Sequence, residues 1–327
     1  MKFFKKHRED MKGKEEKLPG LGFQKLRKIL KKCRRDFPCE KAIDGLTGCR
    51  SNCPEHCSVC EGTFFPSLIE EMSSLVGCFN ERAKRLCELH LASGFKKYLF
   101  RLRGNLQGDH HALIQEGKDL LTYALMNSVV VRRVLDQYDK IHCSTKGQTF
   151  KSRAQSLQIE ILQNPWLYEL MAFHINLREI KLKSENNAST SASDGINLIF
   201  NGGKPSLSCE LINCVKLDID LTCSICLDIV FDPVSLTCGH IFCHMCACSA
   251  ASVTIVDGLK ETQPNKKCPL CREEGVFGGA VQLNELNILL SKSCPTYWEE
   301  RRQRERVERI QQAKQYWENQ SLAFMAI

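Results

Sequence analysis

Eight side chains able to hold a soft metal lie between Cys223 and Cys271: Cys223, Cys226, Cys238, His240, Cys243, Cys246, Cys268 and Cys271. Zinc takes four sulfur or imidazole ligands in a tetrahedron, and a C-x2-C turn offers two thiolates from one tight bend. Eight ligands therefore predict two zinc ions. Protein atoms close all four corners of each site, so neither keeps a position for an activated water and the metal is expected to be structural. The register selects His240 and leaves out His244, which stands between Cys243 and Cys246. Structural zinc contributes on the order of 10 kcal/mol or more to folding, so metal should dominate the stability of this segment.

Other uses of the cysteines fit poorly. A disulfide framework needs an oxidising compartment, and the opening Met1-Lys-Phe-Phe-Lys-Lys-His-Arg has no apolar stretch of a secretory signal. No run approaches the length of a membrane-crossing apolar segment. The twenty cysteines are expected as thiols or thiolates. The expected location is the cytoplasm or the nucleus, without secretion and without a transmembrane segment.

The ligand order C-x2-C-x11-C-x-H-x2-C-x2-C-x21-C-x2-C resembles that of the RING finger. The resemblance implies cross-bracing, in which the first and third ligand pairs share one ion and the second and fourth share the other. It further implies a surface that docks a ubiquitin-conjugating enzyme: Ile225 inside the first knuckle, with Pro269 and Leu270 inside the last, forming a shallow apolar saddle. Arg272, directly after the last ligand, matches a family position that reaches both the conjugating enzyme and its carried ubiquitin. Such an adaptor acts by orientation and needs no nucleophile of its own. Many RING fingers place Trp four residues after the sixth ligand, where this chain has Ala250. That gap motivates an alternative in which the module is a scaffold without ligase activity.

These residues occupy a small part of the chain. With 327 residues there is room for a second domain. Charge is concentrated at the start: residues 1–36 hold fourteen Lys and Arg against five Asp and Glu, so the remaining chain is close to neutral despite the net +8. Within this region Phe23, Leu26, Ile29, Leu30 and Cys33 share one helical face, while Arg27, Lys28, Lys31, Arg34 and Arg35 share the other. Longer helical periodicities run over 64–102, 112–140 and 157–180, and strand signals are few before residue 195. The expected architecture is multidomain: an all-α helical bundle over 1–183, then a small zinc-stapled α+β finger and a C-terminal helix. The small polar run from Ser184 to Ser193 and the breakers Asn201-Gly-Gly-Lys-Pro predict a linker over 184–206. The zinc module with a leading strand then occupies 207–280, and 281–327 form a helical tail. Its apolar members Trp298, Val307, Ile310 and Trp317 make a narrow stripe, expected to fold back on the zinc module.

Met1-Lys2-Phe3, the run from Leu18 to Lys32 and the later Arg132-Arg-Val-Leu-Asp-Gln-Tyr-Asp-Lys140 resemble an SPX domain. An SPX domain joined to a RING finger is similar to the plant ubiquitin ligases of the nitrogen limitation adaptation type. The resemblance covers nearly the whole chain, including Cys238-Gly-His-Ile-Phe-Cys243. It implies a helical sensor of inositol polyphosphates and a ligase acting on phosphate or nitrate transporters, which would draw the protein to the inner face of the plasma membrane. The implied anion-binding positions are Lys2, Arg27, Lys31, Arg133 and Lys140. Arg donates in a bidentate fork and Lys adds a point charge, a combination suited to clustered phosphates. A solvated basic face or a nuclear import signal in Lys31-Lys-Cys-Arg-Arg35 is the plainer reading of the same residues. Phe23 and Arg27 stand where the family commonly has Tyr and Lys. Asp136 and Gln137 replace two family lysines on the Arg133 to Lys140 face.

Cys49, Cys53, Cys57 and Cys60, with His56 among them, could hold a third zinc, although the first two spacings are not knuckle spacings. Reduced or redox-sensitive loop thiols are the simpler reading. A nucleic-acid role is disfavoured because the basic residues lie far from the zinc segment and have few interleaved aromatics.

Overall fold

A computed structural model describes residues 20–36, 60–91, 110–142, 145–185, 195–212 and 215–325. Lys2, Cys49, Cys53, His56 and Cys57 lie outside the described residues. Two compact units divide the chain, one of residues 1–84 with 119–162 and the other of 85–118 with 163–327. The N-terminal region is helical, as expected, with α1 at Phe23–Asp36, α2 at Phe65–Leu91, α3 at His110–His142, α4 at Lys146–Ser156 and α5 at Pro165–Glu185.

In the first unit, α1 turns Leu26 and Leu30 inward against Phe64, Leu68 and Met72 and against Val130, Val134 and Tyr138 of α3. The Phe64 and Tyr138 rings stack with centroids 5.0 Å apart. Removing these apolar surfaces from water is what holds short α1 in place, since 14 residues are marginal as an isolated helix. Its entry is pinned as well: the Gly22 amide donates to Glu71 Oε2 at 2.6 Å. A Cβ on Gly22 would fall 2.5 Å from that carboxylate.

The second unit is built on α5. Asn164 caps this helix, its Oδ1 accepting from the Trp166 amide at 2.9 Å, and Pro165 fills the first position where no amide is needed. Three antiparallel strands follow, β1 at Ile196–Asn201, β2 at Lys204–Ile212 and β3 at Val215–Asp220, in the order β1-β2-β3. Residues 196–206 were expected in the linker and instead supply β1 and the start of β2. The breakers are a hairpin loop: Asn201 pairs with Lys204, and Gly202 and Gly203 have φ of 58° and 83°, as a two-residue type I′ turn requires.

The zinc segment carries a small sheet of order β5-β4-β6, from Ile241–Cys243, Pro233–Ser235 and Val281–Gln282. Helix α6 at His244–Ala251 follows β5 directly. Thus Val281 and Gln282, assigned from sequence to the tail, complete the sheet of the zinc module. Two helices end the chain, α7 at Asn284–Ser293 and α8 at Pro295–Met325.

Helix α7 has Leu283 at its N-cap, which offers no side-chain acceptor. Glu169 of α5 supplies one, its Oε2 accepting from the amides of Glu285 at 2.7 Å and Leu286 at 3.2 Å. Glu285 is itself fully buried, with Oε1 2.6 Å from His90 Nδ1 and Oε2 accepting from Asn176 Nδ2 at 2.9 Å. Burial first, and then the neighbouring Glu285 carboxylate, push the Glu169 carboxyl up to about 8. A carboxyl at a helix N-terminus would ordinarily favour its charged form; here desolvation outweighs the amide bonds.

Candidate metal centres and docking surface

The eight predicted ligands converge in two groups. Cys223, Cys226, Cys243 and Cys246 form one, and Cys238, His240, Cys268 and Cys271 the other, with all ligand atoms of a group within 4.8 Å of one another. Cys226 and Cys243 Sγ lie 3.7 Å apart. His240 Nδ1 lies 3.3 Å from Cys238 Sγ and 3.7 Å from Cys268 Sγ. Tetrahedra with zinc bond lengths of about 2.3 Å to sulfur and about 2.0 Å to nitrogen have edges of roughly 3.5–3.8 Å, so both groups fit zinc. The pairing is the crossed one.

Within each group the thiols oppose one another's ionisation. Hydrogen bonds from Cys243 and Cys246 hold Cys223 well below the usual thiol range. Hydrogen bonds with Cys223 and Cys246 drive Cys243 far above it. In the second group a hydrogen bond from Cys238 brings Cys268 down to about 3, while Cys238 is driven far up. Crowded thiolates cannot all ionise alone, and a bound dication removes that conflict.

The backbone explains how each knuckle is shaped. In the first, the Leu227 amide donates to the Cys223 carbonyl at 2.8 Å and Leu227 has φ of 63°. The last repeats this: the Arg272 amide donates to the Cys268 carbonyl at 2.9 Å with φ of 62°. The Phe231 amide also donates to Cys243 Sγ at 3.2 Å, an outer contact that steadies a ligand. Between the second pair of ligands, Gly239 has φ of 85°, and a Cβ there would collide with the Gln163 carbonyl oxygen. His244 faces Cys248, with Nε2 3.9 Å from its Sγ, and joins neither group.

The docking candidates are all exposed. Ile225 and Leu270 keep 40% and 51% of their surface, too much for core residues, and Pro269 and Arg272 are exposed beside them in sequence. Ala250 lies half-buried on α6.

Helix α8 packs on the module, with a chemistry the sequence did not suggest. The Tyr297 hydroxyl donates to the Ile229 carbonyl at 2.8 Å, Arg301 reaches Asp228 at 3.2 Å and Arg309 reaches Asp232 at 2.7 Å. Trp298 lies on Phe231 with centroids 4.5 Å apart. Of the expected apolar stripe, Val307, Ile310 and Trp317 remain 59–62% exposed. The i, i+4 spacing of Tyr297, Arg301, Glu305 and Arg309 was the available signal.

Among the anion-binding candidates, Arg27 and Lys31 lie on the exposed side of α1, opposite buried Leu26 and Leu30. On α3, Lys140 and Asp136 are exposed and Arg133 half-buried. Both helices contribute to one core. Among the described residues, no helix is long and apolar enough to cross a membrane.

Two crossed four-ligand groups on a three-stranded sheet with a short helix define a RING finger. The family described as zinc finger, C3HC4 type (RING finger) matches residues 223–271. Across its whole length the chain is 59% identical to all of the E3 ubiquitin-protein ligase NLA of Arabidopsis thaliana, and 58% identical to all of the "Probable E3 ubiquitin-protein ligase BAH1-like 1" of Oryza sativa subsp. indica. A second Arabidopsis protein of the BAH1-like type is 39% identical over 98% of both chains. No solved structure matches the chain. The chain belongs to the plant NLA and BAH1-like family of E3 ubiquitin-protein ligases, and with its RING finger it is a RING-type ubiquitin transferase.

Proposed function

We propose that the chain binds a ubiquitin-loaded conjugating enzyme on the saddle of Ile225, Pro269 and Leu270. There Arg272 holds the carried ubiquitin in a pose open to attack by a substrate lysine. The observation that carries this reading is the exposure of all four side chains on two knuckles whose backbones are pinned by metal ligands. Zinc would supply only that rigidity. Orienting the thioester toward the incoming amine can lower the barrier by several kcal/mol without a covalent intermediate on the ligase. Arg272 sits in the left-handed region, where a non-glycine residue is held at a cost, and its side chain leaves the knuckle at a fixed angle.

Autoubiquitination by the zinc-loaded chain tests this. Ile225→Ala and Arg272→Ala should each lower the rate by roughly tenfold or more. Ile225→Ala should weaken binding of the unloaded conjugating enzyme more than Arg272→Ala does. Full activity in both variants would reject the saddle. Ala250, where many RING fingers have Trp, favours a weaker enzyme contact and was the motive for a scaffold reading; the family of the chain favours the ligase.

The helical region 1–183 we read as an SPX-type sensor of inositol polyphosphates, using Arg27, Lys31, Arg133 and Lys140 with Lys2. Phosphate or nitrate transporters are the substrates this reading implies. The support is a basic face on α1 backed by a core shared with α3. Calorimetric titration of the full chain with inositol hexakisphosphate should show binding that Arg27→Ala/Arg133→Ala weakens at least about tenfold. Equal heats from both proteins would remove these residues from the site.

A further inference from the structure

A groove of about 740 Å³ runs beside the first knuckle, with Ile225 and Ser249 on one side and α8 on the other. Its α8 wall is polar along its length: Glu305, Glu308, Gln312, Gln315 and Asn319 recur at helical spacing on the face turned toward Ile225. The opposite rim carries Asp257 and Glu261. Arg301 stands among these four carboxylates and is already engaged by Glu305 at 2.9 Å and by Asp228 at 3.2 Å, while Glu305 is paired with Arg309 as well, at 3.4 Å. Glu308 accepts from Gln312 Nε2 at 3.4 Å, and among the described residues neither it nor Glu261, both exposed, is ion-paired with a Lys or Arg. The groove is therefore acidic, and its unpaired charge faces solvent.

We propose that this groove is a second contact surface for the conjugating enzyme and takes a basic segment of it. The inference rests on the saddle reading above, because continuity with Ile225 is what selects the partner: a protein seated on that residue also overlies the groove. Charge selects the segment, since lysines and arginines complement Glu261 and Glu308, which have no cation paired with them. The position of α8 is set by Asp228 and Ile229, which directly follow the first knuckle, so this wall is fixed from the docking loop itself. Ala250 leaves the α6 side of the saddle poor in contacts, and α8 offers replacement contacts next to it. A second copy of the chain is a weaker occupant, because exposed Val307, Ile310 and Trp317 do not line this groove.

The experiment uses the full zinc-loaded chain and a conjugating enzyme that supports autoubiquitination by the wild type. Association and dissociation are measured by interferometry at low and high sodium chloride for wild type, Glu261→Lys/Glu308→Lys and Ile225→Ala. The charge reversal should weaken binding about five- to tenfold, mainly through a slower association rate, and should flatten the salt dependence, with zinc content unchanged. Should the double reversal lose zinc, Glu308→Gln is judged by the same salt criterion. Wild-type affinity and salt dependence in the charge variants, with loss of binding in Ile225→Ala, would overturn the groove and keep the saddle. Loss in the charge variants with wild-type binding by Ile225→Ala would keep the groove and remove the saddle. A wild-type dimer that the charge reversal dissociates in sedimentation would overturn the choice of partner.

Discussion

A chelator strong enough to strip both ions is expected to unfold the whole RING finger at once, releasing two zinc ions per chain in one transition. The two sites interleave: β5 carries Cys243 of the first group and begins one residue after His240 of the second. Loss of either ion therefore frees the strand that shapes the other. Each structural site is worth on the order of 10 kcal/mol or more, which exceeds the net stability of a typical domain. Cys243→Ser should behave like chelation, because this fully buried ligand also receives the Phe231 amide. Elemental analysis and circular dichroism of the variant report the result. One tightly held ion in a folded Cys243→Ser module would show that the sites are independent and refute the interlocked description.

The second large effect is expected from Glu169. With its carboxyl raised to about 8 in the folded chain, this group keeps its proton where an unfolded Glu, near 4.5, has released it. The folded state thus binds more protons across that interval. Stability contributed by this group is fully present below about 4.5, falls by about 1.4 kcal/mol per pH unit as pH rises, and is lost once pH passes about 8. The groups bearing on it are Glu285, whose charge raises it, and the amides of Asn284, Glu285 and Leu286, which lower it. Glu169→Gln keeps an oxygen for those amides and removes the titration. It should raise the thermal midpoint near pH 8 and flatten the decline between about pH 6 and 8, measured with zinc in excess so that ligand protonation does not intrude. A variant that melts earlier than wild type at pH 8, or that keeps the wild-type slope, would show that the carboxylate is charged and needed there.

Legibility from sequence varied with the range over which the decisive interaction acts. The metal ligands were readable to the residue, because thiolate spacing on a tight turn is local chemistry and the pairing follows from a known order. The helical character of the described residues before 186 was equally open, since Leu26, Leu30, Leu68 and Met72 repeat with the helix and all end up buried. The strands at Ile196–Asn201 and Lys204–Ile212 were read in part as linker because their turn residues, Gly202 and Gly203, carry the same signal in a hairpin as in a connector. Helix α8 was placed correctly against the RING finger for a reason that proved incomplete: Trp298 does pack there, but the ion pairs of Arg301 and Arg309 and the Tyr297 hydrogen bond were not foreseen. The Glu169 cap of α7 had no sequence signature. Its acceptor and donors lie 116 and 117 positions apart, and nothing in either segment announces the other.

The matched turns at Cys223–Leu227 and Cys268–Arg272 carry one last implication. The same five-residue mould, closed by the same carbonyl and the same left-handed final residue, holds leucine at one lip of the module and arginine at the other. Since the backbone shapes both lips alike, any difference in what they recognise must reside in what each side chain carries outward. Partner preference can then drift, or be redesigned, by exchanging surface atoms on an unchanging mount.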